Sequence, residues 1–443
     1  MLKHVRHILK TKGPLLAVRR LFDILARFGF GRRRFRGLLL EFEKVFTRKG
    51  IKAAFFVTGT VLDRHNDLVD QLVSQEHCLG VHGQYHVRMD CFSRRAQEKM
   101  AASGADLFRK NGLDPRGFRP PYLNYNQDTL AALEGAGYSW TSCRYLLDGN
   151  PEPLDGSAGR LDELYHISSL DDIVSVPSFE SGLLDIPVTG PDDELMIDRY
   201  RISDPAKMHD IWSQTWRRCR ENGELYHLMF HPERFALLSP EVRRLIESME
   251  KDQMRPWIAS LGEISGWWES RRSVRTELEE SDDGIRFVFH CLPDGATVLL
   301  SRPGGSSSGQ AGDLLPGWQT IPPEAEGEDY SMFRGSGNGS WFLVGLEEGT
   351  APAAEEFLRN EGFITSRSAP SGKCAFRLQG WESFTPEQGR ELLAQVEDCP
   401  EPLLRLWRWP AGHRYAVTFS ADICAIDFWD FVARSWHFHL GER

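Results

Sequence analysis

A chain of 443 residues, 41% hydrophobic and 26% charged, is too long for one core and reads as two or three soluble domains. A formal net charge of −10 gives no basis for general nucleic-acid binding, so no nucleic-acid partner is expected. No apolar run approaches the roughly 20 residues a membrane-spanning helix needs. The eight cysteines are scattered without a CxxC pair, which favours reduced thiols and a cytoplasmic location.

The opening MLKHVRHILKTKG lacks an apolar core followed by a small-residue cleavage site, so no signal peptide is expected. Residues 1–37 hold eleven Lys/Arg against the single acid Asp23, and PLLAVRRLFDILARF within them carries apolar residues at helical spacing. Such a helix can lie on an anionic membrane face, making the protein peripheral to the inner membrane. The other reading is a helix packed on the main domain with its basic side in water.

From residue 38 to 272 short apolar runs alternate with helical segments. KAAFFVTG (52–59), CLGVHG (78–83), GFRPPY (117–122), YSWTSC (138–143), LLDIPVTG (183–190) and LYHLMFHPE (225–233) read as strands. A helix is expected to open with Ser239 as N-cap and Pro240 as its first residue. Alternation of this length predicts a parallel sheet, open or closed into a barrel. In such folds chemistry gathers at the carboxyl ends of the strands. His82, His86, Arg119, Tyr122 and His231 all fall at such ends.

Residues 273–348 show short alternating runs broken by RPGGSSSGQAGD and RGSGNGS, which predicts a small antiparallel β-domain. Residues 349–400 read as a small α/β module. AAEEFLRNEGF is a helix ending at Gly362, KCAFRLQ is a strand, and TPEQGRELLAQVE carries the capping-box pattern with Thr385 and Gln388. Residues 401–443 hold RYAVTFSADICAIDFWDF, which has the character of a barrel strand followed by a helix although it lies far beyond the others. The thirteen tryptophans could include platforms for sugar rings, with core packing as the commoner use.

VHGQYHVRM (81–89) sets His82 and His86 four apart just past a strand. A catalytic zinc keeps three protein ligands and one open position for water, and two imidazoles could supply two of them. A carboxylate at the end of a neighbouring strand would complete the set. The pair alone is weak, since core or surface histidines are commoner.

VHGQYH (81–86), FRPPY (118–122) and LMFHPE (228–233), following the strand AAFFVTG, together resemble the polysaccharide deacetylases, the NodB-homology group of carbohydrate esterase family 4. The resemblance covers about residues 38–272 and implies an α/β fold, a distorted (β/α) barrel. In that family a strand with a TFDDG-like motif opens the domain and supplies the catalytic base and a metal-binding Asp. Nothing of that kind precedes AAFFVTG, and VTFSADICA (417–425) resembles the displaced first strand. The chain therefore reads as a circularly permuted deacetylase, with two modules inserted before the returning strand.

The resemblance implies His82, His86 and Asp422 as ligands of a divalent metal, zinc by preference. It implies Arg119 as orienting the carboxylate machinery and the Tyr122 backbone N–H as an oxyanion donor. His231 would be the general acid toward the leaving amine of an N-acetylated carbohydrate. Departures accompany it. The usual base Asp is replaced by Ala421, flanked by Ser420 and Cys424, and Cys424 reads as a small buried hydrophobe. The family's Asp-containing motif near a Trp is represented only by YSWTSC, with Trp140, and nothing in the spacing supports Asp427 as a substitute base. The expected function is a metal-dependent hydrolase removing N-acetyl groups from a sugar or polysaccharide. The alternative, favoured by Ala421, is a non-catalytic carbohydrate-binding protein on a degenerate barrel. Amide hydrolysis on a small molecule is a third reading.

Overall fold

Phe35, Leu38, Leu39, Phe42 and Val45 recur at helical spacing, and helix Arg33–Val45 buries all five. Ring centroids of Phe42 lie 4.3 Å from Phe46, 4.7 Å from Phe55 and 5.0 Å from Phe235, so this helix is part of the barrel core. The expected division after residue 37 falls inside it. The computed structural model describes residues 31–149, 167–180, 182–281, 284–302, 314–322, 324–326, 329–334 and 341–430, with single positions at 25, 28, 29, 432 and 433. The expected basic amphipathic helix within residues 1–37 lies outside the described residues except at those few positions.

Strands β1 (Ala54–Val57), β2 (Cys78–Val81), β3 (Gly117–Phe118) and β4 (Trp140–Thr141) pair in parallel in that order. Gly117 lets β3 meet β4, because a Cβ there would lie 2.0 Å from the Trp140 indole. β5 (Tyr145–Leu147) and β6 (Ile167–Ser169) pair beside them, and β7 (Ser178–Glu180) runs antiparallel to β8 (Leu183–Asp185). β8 joins β4, whereas β9 (Val188–Thr189) joins β5. The single strand expected over 183–190 is thus two, parted at Pro187, which has no N–H to donate to a ladder.

β10 (Leu225–Phe230) is buried on both faces, as central parallel strands are. Thr189 Oγ1 accepts the His227 N–H at 2.8 Å and donates to the His227 carbonyl at 3.1 Å, so β9 abuts β10 and the sheet curls into a half-barrel. The next helix begins at Phe235 and carries Pro240 inside it, not at its first residue as expected. A 3₁₀ turn, Pro232–Arg234, leads straight into it, and burial of Phe235 and Leu238 outweighs the one hydrogen bond Pro240 cannot make. β11 (Pro256–Ile258) and helix Leu261–Arg272 follow, the latter opened by a capping box of Ser260 and Glu263.

β12 (Arg275–Ser281), β13 (Gly284–His290), β14 (Val298–Ser301), β15 (Trp318–Ile321), β16 (Glu324–Glu326) and β17 (Asp329–Arg334) form the antiparallel region. β18 (Trp341–Leu346), expected to belong with them, pairs in parallel with β19 (Thr365–Ser366) and β20 (Cys374–Leu378) and so starts the α/β module. β21 (Leu404–Leu406) returns to β14, so pairing crosses the expected divisions at 348 and 400. The helix Pro352–Asn360 ends before Gly362, whose φ of +91° and a would-be Cβ 1.9 Å from the Leu406 carbonyl admit only glycine. Thr385 and Gln388 form the expected capping box.

The module is clamped to the barrel. Buried Glu361 receives Arg405 and Arg408, and Trp267 Nε1 donates to the Arg408 carbonyl at 2.7 Å. Trp268, Trp407 and Trp409 are fully buried nearby, so these indoles pack the core.

The last strand, β22 (Tyr415–Ile423), is buried at all nine positions. It lies between β10 and β1, parallel to both, with Ala421 opposite Phe230 and Asp422 opposite Phe56. The main sheet therefore runs β10-β22-β1-β2-β3-β4-β8-β7. Among the described residues no helix is long and apolar enough to cross a membrane.

Candidate active site

His82 follows β2 directly, and its backbone N–H is held by the Val57 carbonyl at 3.0 Å. Its Nδ1 donates to the Arg119 carbonyl at 2.9 Å, which leaves Nε2 as the atom able to accept. That Nε2 is buried without a hydrogen-bond partner, in a residue only 1% exposed. Burial pushes the imidazole's pKa down, more strongly than the nearby Asp422 carboxylate raises it, so the ring stays neutral. His86 arrives on the turn that follows; the two ring centroids are 5.1 Å apart. Donor atoms of His82, His86 and Cys424 all lie within 4.8 Å of one another. An orphaned, neutral, buried imidazole nitrogen beside two more donors fits a divalent cation.

Arg119, fully buried after β3, organises the floor. Nη1 donates to Asp422 Oδ1 at 2.7 Å and Ser420 Oγ at 2.9 Å; Nη2 donates to Ser142 Oγ at 2.9 Å. Its guanidinium also stands 4.0 Å above the Phe56 ring. Ser420 Oγ is 2.8 Å from His227 Nε2, whose Nδ1 donates to the Pro187 carbonyl. Burial and then the Arg119 charge keep His227 far below its ordinary pKa, hence neutral. Burial acts to raise the Asp422 carboxyl, but the Arg119 charge and hydrogen bond outweigh it and hold the group ionised. Asp422 Oδ2 lies 3.7 Å from His82 Nε2. Alternate residues of β22 face one way, so Ser420 and Asp422 share a side.

His231 follows β10. Its Nδ1 is 3.0 Å from Asp193 Oδ1, which also accepts the His231 backbone N–H at 3.1 Å, and its Nε2 is 3.2 Å from Glu194. Burial would lower this imidazole, but the Asp193 charge and hydrogen bond, with Glu194 and Glu233, raise it to about 10. Burial, and then Asp193, push the adjacent Asp192 up to about 7. Tyr122 stands at the rim with φ +63°, a left-handed conformation costing roughly 1–2 kcal/mol for a non-glycine residue. Its ring meets His86 edge-on at 4.5 Å between centroids.

The structure thus brings His82, His86, Arg119, Tyr122, His231 and Asp422 to one mouth of the sheet. Cys424 is a third donor grouped with both imidazoles, while Asp422, paired with Arg119 through Oδ1, keeps its Oδ2 3.7 Å from His82 Nε2. Asp427 does not reach in; its carboxylate accepts from the Trp429 and Asp430 N–H groups beside His65. Asp193, His227, Ser142 and Ser420 were not foreseen as partners. Asp193 alone had a signal, three adjacent acids closing the run PVTGPDDE. A separate cleft of about 300 Å³ beside Trp318 and Arg390 is lined by arginines already committed to tying the module down. There Arg408 donates to the Asn222 carbonyl and Arg414 to the Leu314 carbonyl.

Residues 37–140 match the family described as polysaccharide deacetylase. Among curated proteins none matches the chain. Among solved structures, one described as a polysaccharide deacetylase from Mycobacterium smegmatis is 16% identical, covering 63% of this chain and 90% of that one, with a TM-score of 0.41. A second so described, from Pseudomonas aeruginosa PAO1, is 13% identical over 57% and 77% of the two chains, with a TM-score of 0.44. The third is BA3943, a CE4 family pseudoenzyme from Bacillus anthracis, 11% identical over 52% and 60%, with a TM-score of 0.31.

Proposed function

We propose, from the premise that this chain carries a polysaccharide deacetylase domain, that it hydrolyses the N-acetyl group of a sugar or polysaccharide with the help of a divalent metal. The observation that carries the reading is the Asp422 carboxylate, fixed by Arg119 at 2.7 Å and set 3.7 Å from the orphaned Nε2 of His82. The position of β22 between β10 and β1 supports reading the chain as a permuted barrel.

His82 and His86 would supply imidazole ligands. A divalent cation held there would supply Lewis-acid polarisation of an acyl carbonyl and a more acidic water. Asp422, ionised beside that point, would take the proton of the attacking water in place of the family's usual base, whose position Ala421 occupies here. The Tyr122 backbone N–H would hold the developing oxyanion. His231, kept protonated by Asp193, delivers a proton to the nitrogen as the C–N bond breaks, leaving acetate and a free amine. Glu194 beside His231 Nε2 must give way to the substrate.

The test is acetate release from N-acetylglucosamine oligomers by the full chain, with metal content measured alongside. His231→Gln should keep its metal and lose about 10²–10⁴-fold in turnover. His86→Ala should lose metal and turnover together. A metal-loaded protein that releases acetate from no N-acetyl substrate would overturn the catalytic reading in favour of a carbohydrate binder.

A further inference from the structure

Resting on that metal reading, we infer that the third protein ligand is the Cys424 thiolate, which makes the centre a His₂Cys site selective for zinc-like ions. Three observations lead there. The donor atoms of His82, His86 and Cys424 form one group within 4.8 Å, and Asp422 is not a member of it. Tetrahedral zinc with nitrogen and sulfur donors needs separations of about 3.3–3.6 Å, which small side-chain adjustments reach from there. Second, the His82 Nε2, buried and without a hydrogen-bond partner, needs something at the centre of the group. Third, Asp422 Oδ1 is held by the buried Arg119 guanidinium, so that only its Oδ2, 3.7 Å from His82 Nε2, faces the group.

The placement of Cys424 follows from the chain. β22 ends at Ile423, and Thr58 Oγ1 donates to the Cys424 carbonyl at 3.4 Å, fixing the residue at the carboxyl edge beside β1. Two residues past Asp422 and just beyond the strand, it brings its sulfur within 4.8 Å of the imidazole donor atoms. On binding, the S–H bond breaks, its proton passes to solvent, and the sulfur lone pair forms the metal bond. A thiolate is a soft donor. It favours zinc, cobalt(II) or copper(I) and disfavours magnesium, calcium and manganese, which prefer oxygen. One corner stays open for the water of the proposed reaction.

Cobalt(II) reports on the site without turnover. The full chain titrated with cobalt(II) should show d–d bands of a tetrahedral centre and a near-ultraviolet sulfur-to-cobalt charge-transfer band. Cys424→Ser should abolish the charge-transfer band and weaken binding by at least about tenfold. Cys424→Asp, which keeps an anionic ligand, should bind cobalt with d–d bands only. X-ray absorption of the zinc-loaded chain should find one sulfur at about 2.3 Å. Cobalt d–d bands that His86→Ala removes, without any charge-transfer band in the unmodified chain, would overturn the thiolate and leave the metal-dependent hydrolase standing. A chain that binds neither cobalt nor zinc would sink both.

Discussion

Asp193→Asn tests the electrostatics of His231 directly. The Asp193 carboxylate accepts the ring N–H at 3.0 Å, and its charge is the foremost of the influences that lift the imidazole from 6.5 to about 10. At 1.36 kcal/mol per pKa unit, that rise represents roughly 5 kcal/mol of preference for the protonated ring. Asparagine keeps an acceptor but removes the charge, leaving Glu194 and Glu233 to hold what remains. The His231 midpoint should fall by at least about two units, near 3 kcal/mol, into the neutral range. NMR titration of the imidazole Cε1–H, assigned with His231→Gln, reads this out. Stability should follow. Because the folded value is raised above the unfolded one, protonation of His231 stabilises the fold. That contribution is complete below pH 6.5 and lost as the pH rises to about 10. Urea midpoints of the two proteins should therefore lie furthest apart in mild acid and converge in alkali. The alkaline limb of turnover should also move down. A midpoint that does not move, or a stability gap that widens with pH, would refute the reasoning.

Glu361→Gln leaves Arg405 and Arg408 buried without their shared counter-charge and should cost roughly 3–5 kcal/mol in urea unfolding. A loss within the range of an exposed pair, below about 1 kcal/mol, would show that water reaches the cluster. A chain ending at residue 400 lacks β21 and β22, leaves facing edges on β1 and β10 open, and should be insoluble or unable to hold metal. A stable, metal-loaded truncation would mean that β22 is dispensable to the sheet.

Much of the barrel was legible because buried parallel strands are short apolar runs read locally, and residues at their carboxyl ends converge whatever the connections between them. CLGV, AFFV and LYHLMF needed nothing else. The helix over 235–250 was misread at its start because Ser239 and Pro240 carry a strong local signal, while the burial of Phe235 and Leu238 that overrides it is tertiary. β18 reads like its antiparallel predecessors in composition; only its partners, β19 and β20, place it elsewhere. The site was legible in its members but not in their division of labour. Ser420 and Asp422 share a face with Cys424 just beyond the strand, and how Asp422 is held depends on Arg119, a side chain some three hundred positions earlier in the chain. Asp193 was missed because a run of acids beyond a strand reads as a solvated turn until His231 is seen against it.

The central seat of β22 has a consequence for biosynthesis. During translation β1 and β10 emerge early, yet the strand that joins them comes only after the whole stretch from Phe230 to Tyr415 has been made. At about 5–20 residues per second the ribosome needs on the order of 10–40 s for that interval. Throughout it two apolar strand edges stand open to foreign pairing. Yield in the cell should therefore depend on chaperone supply more steeply than the finished protein's resistance to denaturant suggests.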